Sequence, residues 1–384
     1  MTFQITQQIN KICPSTPVDE FNLNWSEKEL PERLRTKHVH RLHPYLGKFV
    51  PQLIEVFLRK YNPKVVCDPF MGSGTALVQA EEQGMSAIGA DISEFNCLLA
   101  RVKTKDYNIP ILEREVRKIV AILKGKSAID PEFKSYSNLE DTAYLRKWFA
   151  PKAKRQLLFF RELIKDYENE DFFKVVLSRA ARSARLTSHF DLDFPRKPQT
   201  ESYFCMKHHR TCKPTDEALK FLTRYSLDSL RRVKEFGQIK QKKNIEIICG
   251  DSRKIDFPSF DFLITSPPYV GLIDYHEQHK YAFELLGLKD RREKEIGAAS
   301  AGKSKKAEKA YIEGIKKVFE KANESLKSKG RMAVVVHDKN NLYDNLAESL
   351  DLVKEQEIER HVNRRTGRRN GNNFFEKIFV WVKP

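Results

Sequence analysis

The sequence predicts an α/β fold whose strands are grouped at its two ends around a mainly helical middle third. Three observations carry this reading. The apolar strand Val65-Val66-Cys67-Asp68 stops at Pro69, and Gly72-Ser73-Gly74-Thr75 turns the chain into a helix from about Ala76 to Gln83. A second strand, Ala87-Ile88-Gly89-Ala90-Asp91, follows directly, the strand–helix–strand order of a parallel sheet. Far downstream, the β-branched and aromatic run Phe260-Asp261-Phe262-Leu263-Ile264 reads as a buried strand that ends at Thr265-Ser266-Pro267-Pro268-Tyr269. Between these groups, Gln156–Ile164, Phe172–Leu177, and Leu219, Leu222, Leu230 and Val233 repeat apolar residues at helical intervals with charges between them.

The first turn has the composition of a ligand site. Glycines allow close backbone approach at a helix N-terminus, whose N–H groups lack intrahelical partners. No Lys follows Gly74, so the turn is not a phosphate-cradling loop, and the G-x-G-x-x-G dinucleotide spacing is absent. Asp91 stands 23 positions after Asp68 at the end of the next strand, where an acid commonly receives ribose hydroxyls. A nucleoside cofactor without a pyrophosphate fits these features.

The Ser266-Pro267-Pro268-Tyr269 segment suits a planar base that bears an amine. Two prolines fix the backbone and lack N–H donors, which leaves their carbonyls available. The Ser266 hydroxyl and the Pro267 carbonyl can accept amine protons while the Tyr269 ring stacks on the base. Taken alone, the proline pair is also what ends a strand.

Together, Asp68-Pro69-Phe70-Met71-Gly72-Ser73-Gly74-Thr75 and Thr265-Ser266-Pro267-Pro268-Tyr269 resemble the cofactor and catalytic motifs of the amino-methylating DNA methyltransferases. These enzymes transfer a methyl group from S-adenosylmethionine to cytosine N4 or adenine N6. The Ser-Pro-Pro-Tyr form resembles the cytosine-N4 branch, whereas adenine enzymes mostly carry Asp or Asn first. The resemblance implies a Rossmann-like fold with a mostly parallel sheet and an antiparallel closing strand. His43-Pro44-Tyr45-Leu46-Gly47-Lys48-Phe49 resembles the segment that packs on the methionine end of the cofactor, which makes His43, Pro44 and Lys48 cofactor candidates. The same holds for Asp68, Pro69, Phe70, Gly72, Ser73, Gly74, Thr75 and Asp91. Ile245–Asp251 resembles the third strand, with Asp251 near the adenine ring. Arg331–His337 reads as the next core strand and Phe375–Trp381 as the closing one.

On this alignment Asp91 and Asp251 lie 160 positions apart, far more than a β-α-β connection needs. The expected division is an N-terminal extension over 1–35, a cofactor-binding part over 36–105, a helical insertion and target-recognition region over 106–243, and a catalytic part over 244–384.

The net charge of +17 suits a polyanionic partner, here double-stranded DNA. Candidate DNA contacts are Arg179, Arg182 and Arg185, which recur at helical spacing, and Lys303 in a small-residue-rich basic loop. Arg364, Arg365, Arg368 and Arg369 lie in a basic hairpin tip between strand-like segments. No apolar span suggests a membrane helix, and Met1-Thr2-Phe3-Gln4-Ile5 lacks a signal-peptide pattern. Six scattered cysteines suit a reducing compartment, so a prokaryotic cytoplasmic, nucleoid-associated location is expected. Cys205, His208, His209 and Cys212 offer either zinc ligands or free thiols packed in a helical region, and no metal site is assigned.

The expected reaction is cytosine-N4 methylation of a flipped base by direct in-line transfer, with no covalent intermediate. Cytosine-C5 chemistry in the related family needs a Pro-Cys pair, and only the reverse order, Cys13-Pro14, occurs. The alternatives are an adenine-N6 enzyme, an RNA methyltransferase of the same fold, and a non-catalytic DNA-binding subunit. Family resemblance also implies functional pairing with a restriction endonuclease.

Overall fold

The computed structural model describes residues 2–126, 142–189, 191–192, 194–269, 274–298, 302, 304–362 and 374–384. Its centre is a seven-stranded sheet. In chain order the strands are β1 (Val65–Asp68), β2 (Ser86–Asp91), β5 (Ile245–Cys249), β6 (Phe260–Thr265), β7 (Leu326–Val336), β8 (Val353–Val362) and β9 (Phe374–Val382). A separate two-stranded hairpin pairs β3 (Tyr203–Cys205) with β4 (Arg210–Cys212). The sheet order is β5-β2-β1-β6-β7-β9-β8. Strands β5 to β7 run parallel across β2, β1 and β6, and β9 is antiparallel to both β7 and β8. This is the Rossmann-like methyltransferase topology that the sequence led us to expect, with its antiparallel closing strand.

The central strands β1, β2 and β6, with the C-terminal halves of β7 and β9, are apolar on both faces because both faces are covered there. Alternate residues divide between two cores. Val66, Ala87, Phe262, Ile264, Ala333, Val335, Ile378 and Val380 face the helices Pro51–Tyr61 and Thr75–Glu82. Cys67, Ile88, Leu263, Met332, Val334, Phe379 and Trp381 face the helix Lys305–Ser325 through Tyr311, Ile315 and Phe319. Ile5, Ile9, Leu23 and Trp25, from the N-terminal extension, are built into the first of these cores.

The inserted helices do not form an isolated core. Helices Ile109–Gly125, Pro151–Leu163, Glu170–Ala184 and Leu219–Gly237 share one cluster with Phe95, Leu98, Leu99 and Val102 of the helix Glu94–Thr104. Tyr281, Phe283 and Leu285, from the β6–β7 connection, complete it. That contact joins the inserted helices to chain segments from both the β2 side and the β6–β7 side of the sheet.

One tight packing point explains a glycine inside a strand. A Cβ on Gly89 of β2 would sit 2.6 Å from Met71 Sδ and 2.8 Å from Leu77 Cδ2, both buried. Gly89→Ala should therefore cost about 1–3 kcal/mol through overpacking. Urea unfolding checks this, and an unchanged midpoint would mean that the Met71 side chain simply gives way.

Candidate active site

The strand order reverses at β1, where β2 and β6 flank it, and ligands in such sheets bind at the carboxyl ends beside that point. The structure has a cleft there. Its walls include Tyr45, Lys48, Asp68, Gly72, Asp91, Asp251 and Ser266. Three chain segments remote in sequence thus meet because their strands are neighbours.

Asp68 ends β1 and is buried. Its Oδ1 accepts from the Thr265 hydroxyl at 2.6 Å and from the Phe70 N–H at 3.2 Å. Burial pushes its pKa up to about 7. These bonds tie the cofactor turn to the start of the Ser-Pro-Pro-Tyr segment, so Asp68 couples the two motifs.

Asp91 ends β2, and its carboxylate supports the turn directly. Oδ2 accepts from the Gly72 N–H at 3.0 Å, while Oδ1 accepts from the Ser93 N–H at 2.8 Å and from Asn96 Nδ2 at 3.1 Å. Desolvation raises its pKa to about 6. Oδ2 takes one bond and a carboxylate oxygen has two lone-pair sites, so capacity for a ligand hydroxyl remains. Gly72 has φ of 49°, and a Cβ there would lie 3.1 Å from the Tyr45 hydroxyl.

The remaining cofactor candidates divide. Pro69, Phe70, Ser73, Thr75, Lys48 and Asp251 line the cleft. Lys48 Nζ donates to the His40 carbonyl at 2.9 Å, and burial lowers its pKa to about 8. Asp251 is forked by Arg253 at 2.7 and 2.8 Å, and the Arg253 bonds hold its pKa below the usual range against the opposing effect of burial.

Three expectations are corrected. His43 and Pro44 are not among the cleft walls, which are formed there by Tyr45, Gly47, Lys48 and Phe49. His43 is buried, its Nδ1–H donating to the Pro44 carbonyl at 2.8 Å and its Nε2 accepting from the Ser178 hydroxyl at 3.0 Å. Gly74 likewise lies behind the cleft, where its φ is 77° and a Cβ would meet Ala100 Cβ at 3.0 Å. It serves the packing of the turn on the helix Glu94–Thr104. The third correction concerns the arginines. Arg179 pairs with Asp228 at 2.7 Å and lies over the Tyr225 ring, while Arg185 is buried, donates to Leu192 O and lies over Tyr281. Arg185 also follows the end of its helix with extended backbone, so helical spacing did not place it. Both residues hold the helical layer together instead of forming an open cationic face, and Arg182 is half-buried. Lys303 and the hairpin arginines Arg364, Arg365, Arg368 and Arg369 lie outside the described residues.

At the end of β6, Ser266 and Pro268 line the cleft, whereas Pro267 is buried and is not among its walls. Tyr269 is half-buried, its hydroxyl donating to Glu376 at 2.9 Å and facing the Ser266 side chain. Desolvation raises its pKa well above that of a free phenol. Its ring stands 6.1 Å from His337 and 6.5 Å from Phe374, which stack on one another at 3.9 Å. Tyr269 therefore belongs to an aromatic wall beside the cleft.

Several site residues were not found by motif. Lys103 is buried under the turn and donates from Nζ to the Ser73 carbonyl. Burial depresses its pKa strongly. Its only sequence signal is a cation inside an apolar helical run. Asn96 bridges Asp91 and the Tyr45 hydroxyl, at 3.1 Å to each. Tyr275, stacked on Tyr45 at 5.8 Å, and Glu295 come from the β6–β7 connection and close over the cleft.

Two orphaned groups mark the cleft as built for a polar ligand. Ser73 Oγ and Glu295 Oε2 are buried without hydrogen-bond partners among the described residues, and both residues line it. Buried polar atoms without partners are costly, and each offers an unused acceptor to a ligand that carries hydroxyl and ammonium groups. The lining fits S-adenosylmethionine: the remaining lone pair of Asp91 for a ribose hydroxyl, Gly72 for close approach, and aromatic and apolar walls at Tyr45, Phe70 and Ile296.

Comparison with known proteins agrees. A family model described as DNA methylase, of the N6 and N4 type, matches residues 18–102. The chain is 37% identical to the Type II methyltransferase M.MjaII of Methanocaldococcus jannaschii, over 94% of this chain and 83% of that protein. It is 26% identical to the Type II methyltransferase M.MvaI of Kocuria varians, over 64% of this chain and 55% of the relative. A third relative, M.BsoBI of Geobacillus stearothermophilus, is 23% identical over 69% of this chain and 56% of its own length. Among the described residues no helix is long and apolar enough to cross a membrane. With a turn, an acid and a Ser-Pro-Pro-Tyr segment converging on one cleft, and with a relative this similar over nearly its whole length, the chain belongs to the S-adenosylmethionine-dependent, amino-methylating N6/N4 family of DNA methyltransferases.

Proposed function

We propose that the protein methylates the exocyclic N4 of cytosine in duplex DNA at a specific site. The observation that carries this reading is Ser266, placed at the carboxyl end of β6 in the cleft that also holds Asp91 and Gly72. S-adenosylmethionine supplies an electrophilic methyl group on a sulfonium. The chain's residues do the rest. An exocyclic amine is a weak nucleophile because its lone pair is delocalised into the ring. The Ser266 hydroxyl and the Pro267 carbonyl accept its protons and favour the pyramidal nitrogen that attacks. Neither oxygen need act as a strong base, because the amine proton becomes acidic as the nitrogen gains its methyl group. Tyr269, braced by Glu376, offers an aromatic face to the base, which a duplex delivers only by flipping it out of the stack. A serine in the first motif position favours cytosine over adenine.

The helical insertion, with its exposed cations, serves as the target-recognition region in this proposal. Lys303, Arg364, Arg365, Arg368 and Arg369 are assigned to phosphate contact on charge alone. The Type II relatives support pairing with a restriction endonuclease of the same specificity.

The test is methylation of mixed duplex DNA and, in parallel, of RNA with radiolabelled S-adenosylmethionine, followed by mass spectrometry of the nucleosides. N4-methylcytosine is the expected product. N6-methyladenine would retain the family and overturn the base assignment, and label confined to RNA would overturn the substrate.

A further inference from the structure

The hairpin β3–β4 lacks what normally holds a hairpin. Its strands are three residues each, and between Ser188 and Glu217 the only buried residues among those described are Cys205 and Cys212. A two-stranded ribbon without a core is marginal in water. Yet this one is sharply folded. The register of Cys205 with Arg210 and of Tyr203 with Cys212 puts both cysteines on one face, and the turn places His208 N–H 3.1 Å from the Cys205 carbonyl. His189, sixteen residues upstream of Cys205, packs against the same face.

Four donor atoms converge there. Those of His189, Cys205, His208 and Cys212 all lie within 4.8 Å of one another. Cys205 Sγ is 3.6 Å from Nδ1 of His189 and 3.6 Å from Nδ1 of His208, while Cys212 Sγ is 3.5 Å from the His208 Nδ1. A tetrahedral zinc ion with ordinary Zn–S and Zn–N bonds gives sulfur–nitrogen edges of about 3.6 Å. Hydrogen bonding does not account for the arrangement. The His208 Nδ1 has one lone pair but two thiols at contact distance, and Cys205 has one proton but faces two such nitrogens. Both cysteines are free thiols. The Tyr203 hydroxyl, 3.0 Å from the His189 Nδ1, accepts the His189 backbone N–H at 2.9 Å and fixes that residue against the cluster.

We propose that His189, Cys205, His208 and Cys212 bind one structural zinc ion, which replaces the missing core of this segment. Four protein ligands close the coordination shell, as structural rather than catalytic zinc requires. None of the four lines the S-adenosylmethionine cleft. His209 is excluded. It follows His208 in a left-handed conformation with φ of 49° and is not among the converging donors. The ligand set therefore differs from the compact Cys205–Cys212 run by exchanging His209 for a distant histidine.

The experiment measures metal in the full chain, purified without chelator, by inductively coupled plasma mass spectrometry. We expect about one zinc per chain, falling below about a tenth in Cys205→Ser/Cys212→Ser, as for loss of two of four ligands. His189→Ala should lose most of the metal, whereas His209→Ala keeps it. Cobalt(II) added to the metal-stripped parent chain gives a second readout that needs no variant. Intense visible absorption and a thiolate charge-transfer band mark a tetrahedral site with two sulfurs. A parent chain that takes up neither zinc nor cobalt overturns the proposal. Full zinc retention in His189→Ala, or its loss in His209→Ala, overturns the ligand set. Chelation of the parent should also open the 188–217 segment to limited proteolysis.

Discussion

Ser266→Ala is expected to slow methyl transfer by about 10²–10³-fold while leaving the dissociation constant for S-adenosylmethionine within about twofold. The proposal gives the Ser266 hydroxyl its main task while the amine is changing shape. A hydrogen bond that strengthens only then lowers the rate when removed and does little to ground-state binding. The surroundings should survive the change. Pro267 and Pro268 hold the backbone, and Thr265 remains bonded to Asp68 at 2.6 Å. Single-turnover methylation of duplex DNA, with calorimetry for the cofactor, separates the two quantities. An unchanged rate would remove Ser266 from the chemistry. A loss confined to cofactor affinity would assign its hydroxyl to the cofactor instead, since it shares that cleft.

The second large effect is expected at Asp91. S-adenosylmethionine affinity should fall as pH drops through about 6, approaching tenfold per pH unit below it, because a protonated carboxyl no longer accepts a ribose hydroxyl on its remaining lone pair. The sign in the free protein runs the other way. A carboxyl whose folded pKa is raised is favoured by folding in its neutral form. Its contribution to stability is thus present below the unfolded pKa and lost as pH rises through the folded one. The cleft is built at some cost to the empty protein, and binding recovers part of it. Asp91→Asn should weaken binding at pH 8 and flatten the profile below pH 6. The neighbouring Asp68, raised to about 7, is the control. Asp68→Asn should leave the limb near pH 6 in place. If the Asp91→Asn profile kept the parent's slope, the ribose acid would lie elsewhere, with Glu295 the next carboxylate on that wall.

Motifs were legible wherever the chemistry is local. The Val65–Thr75 strand, turn and helix are written in neighbouring residues, and the Ser-Pro-Pro stop ends β6 for reasons contained in the proline ring. The partner of a buried charge is another matter. Arg179, Arg182 and Arg185 carry the same sign and regular spacing whether they face DNA or the interior. Only the positions of Asp228, Tyr225 and Tyr281 show that two of them are spent on packing. Similarly, His43 sits in a motif-like segment, yet Ser178 from the insertion draws its ring away from the cleft.

By itself, then, the sequence determined the class of fold, the glycine-rich turn, the Ser-Pro-Pro-Tyr stop and the strand that carries each, because hydrophobic period, glycine and proline act over a few residues. The tertiary structure decided what depends on distance through space. It brought Asp68 to Thr265, Lys103 beneath the Ser73 carbonyl and Glu295 onto the cleft wall. It also chose His189 over His209 beside the two cysteines. Pairings of that kind follow from strand order and helix packing, which sum weak contacts over the whole chain, and no short run of residues encodes them.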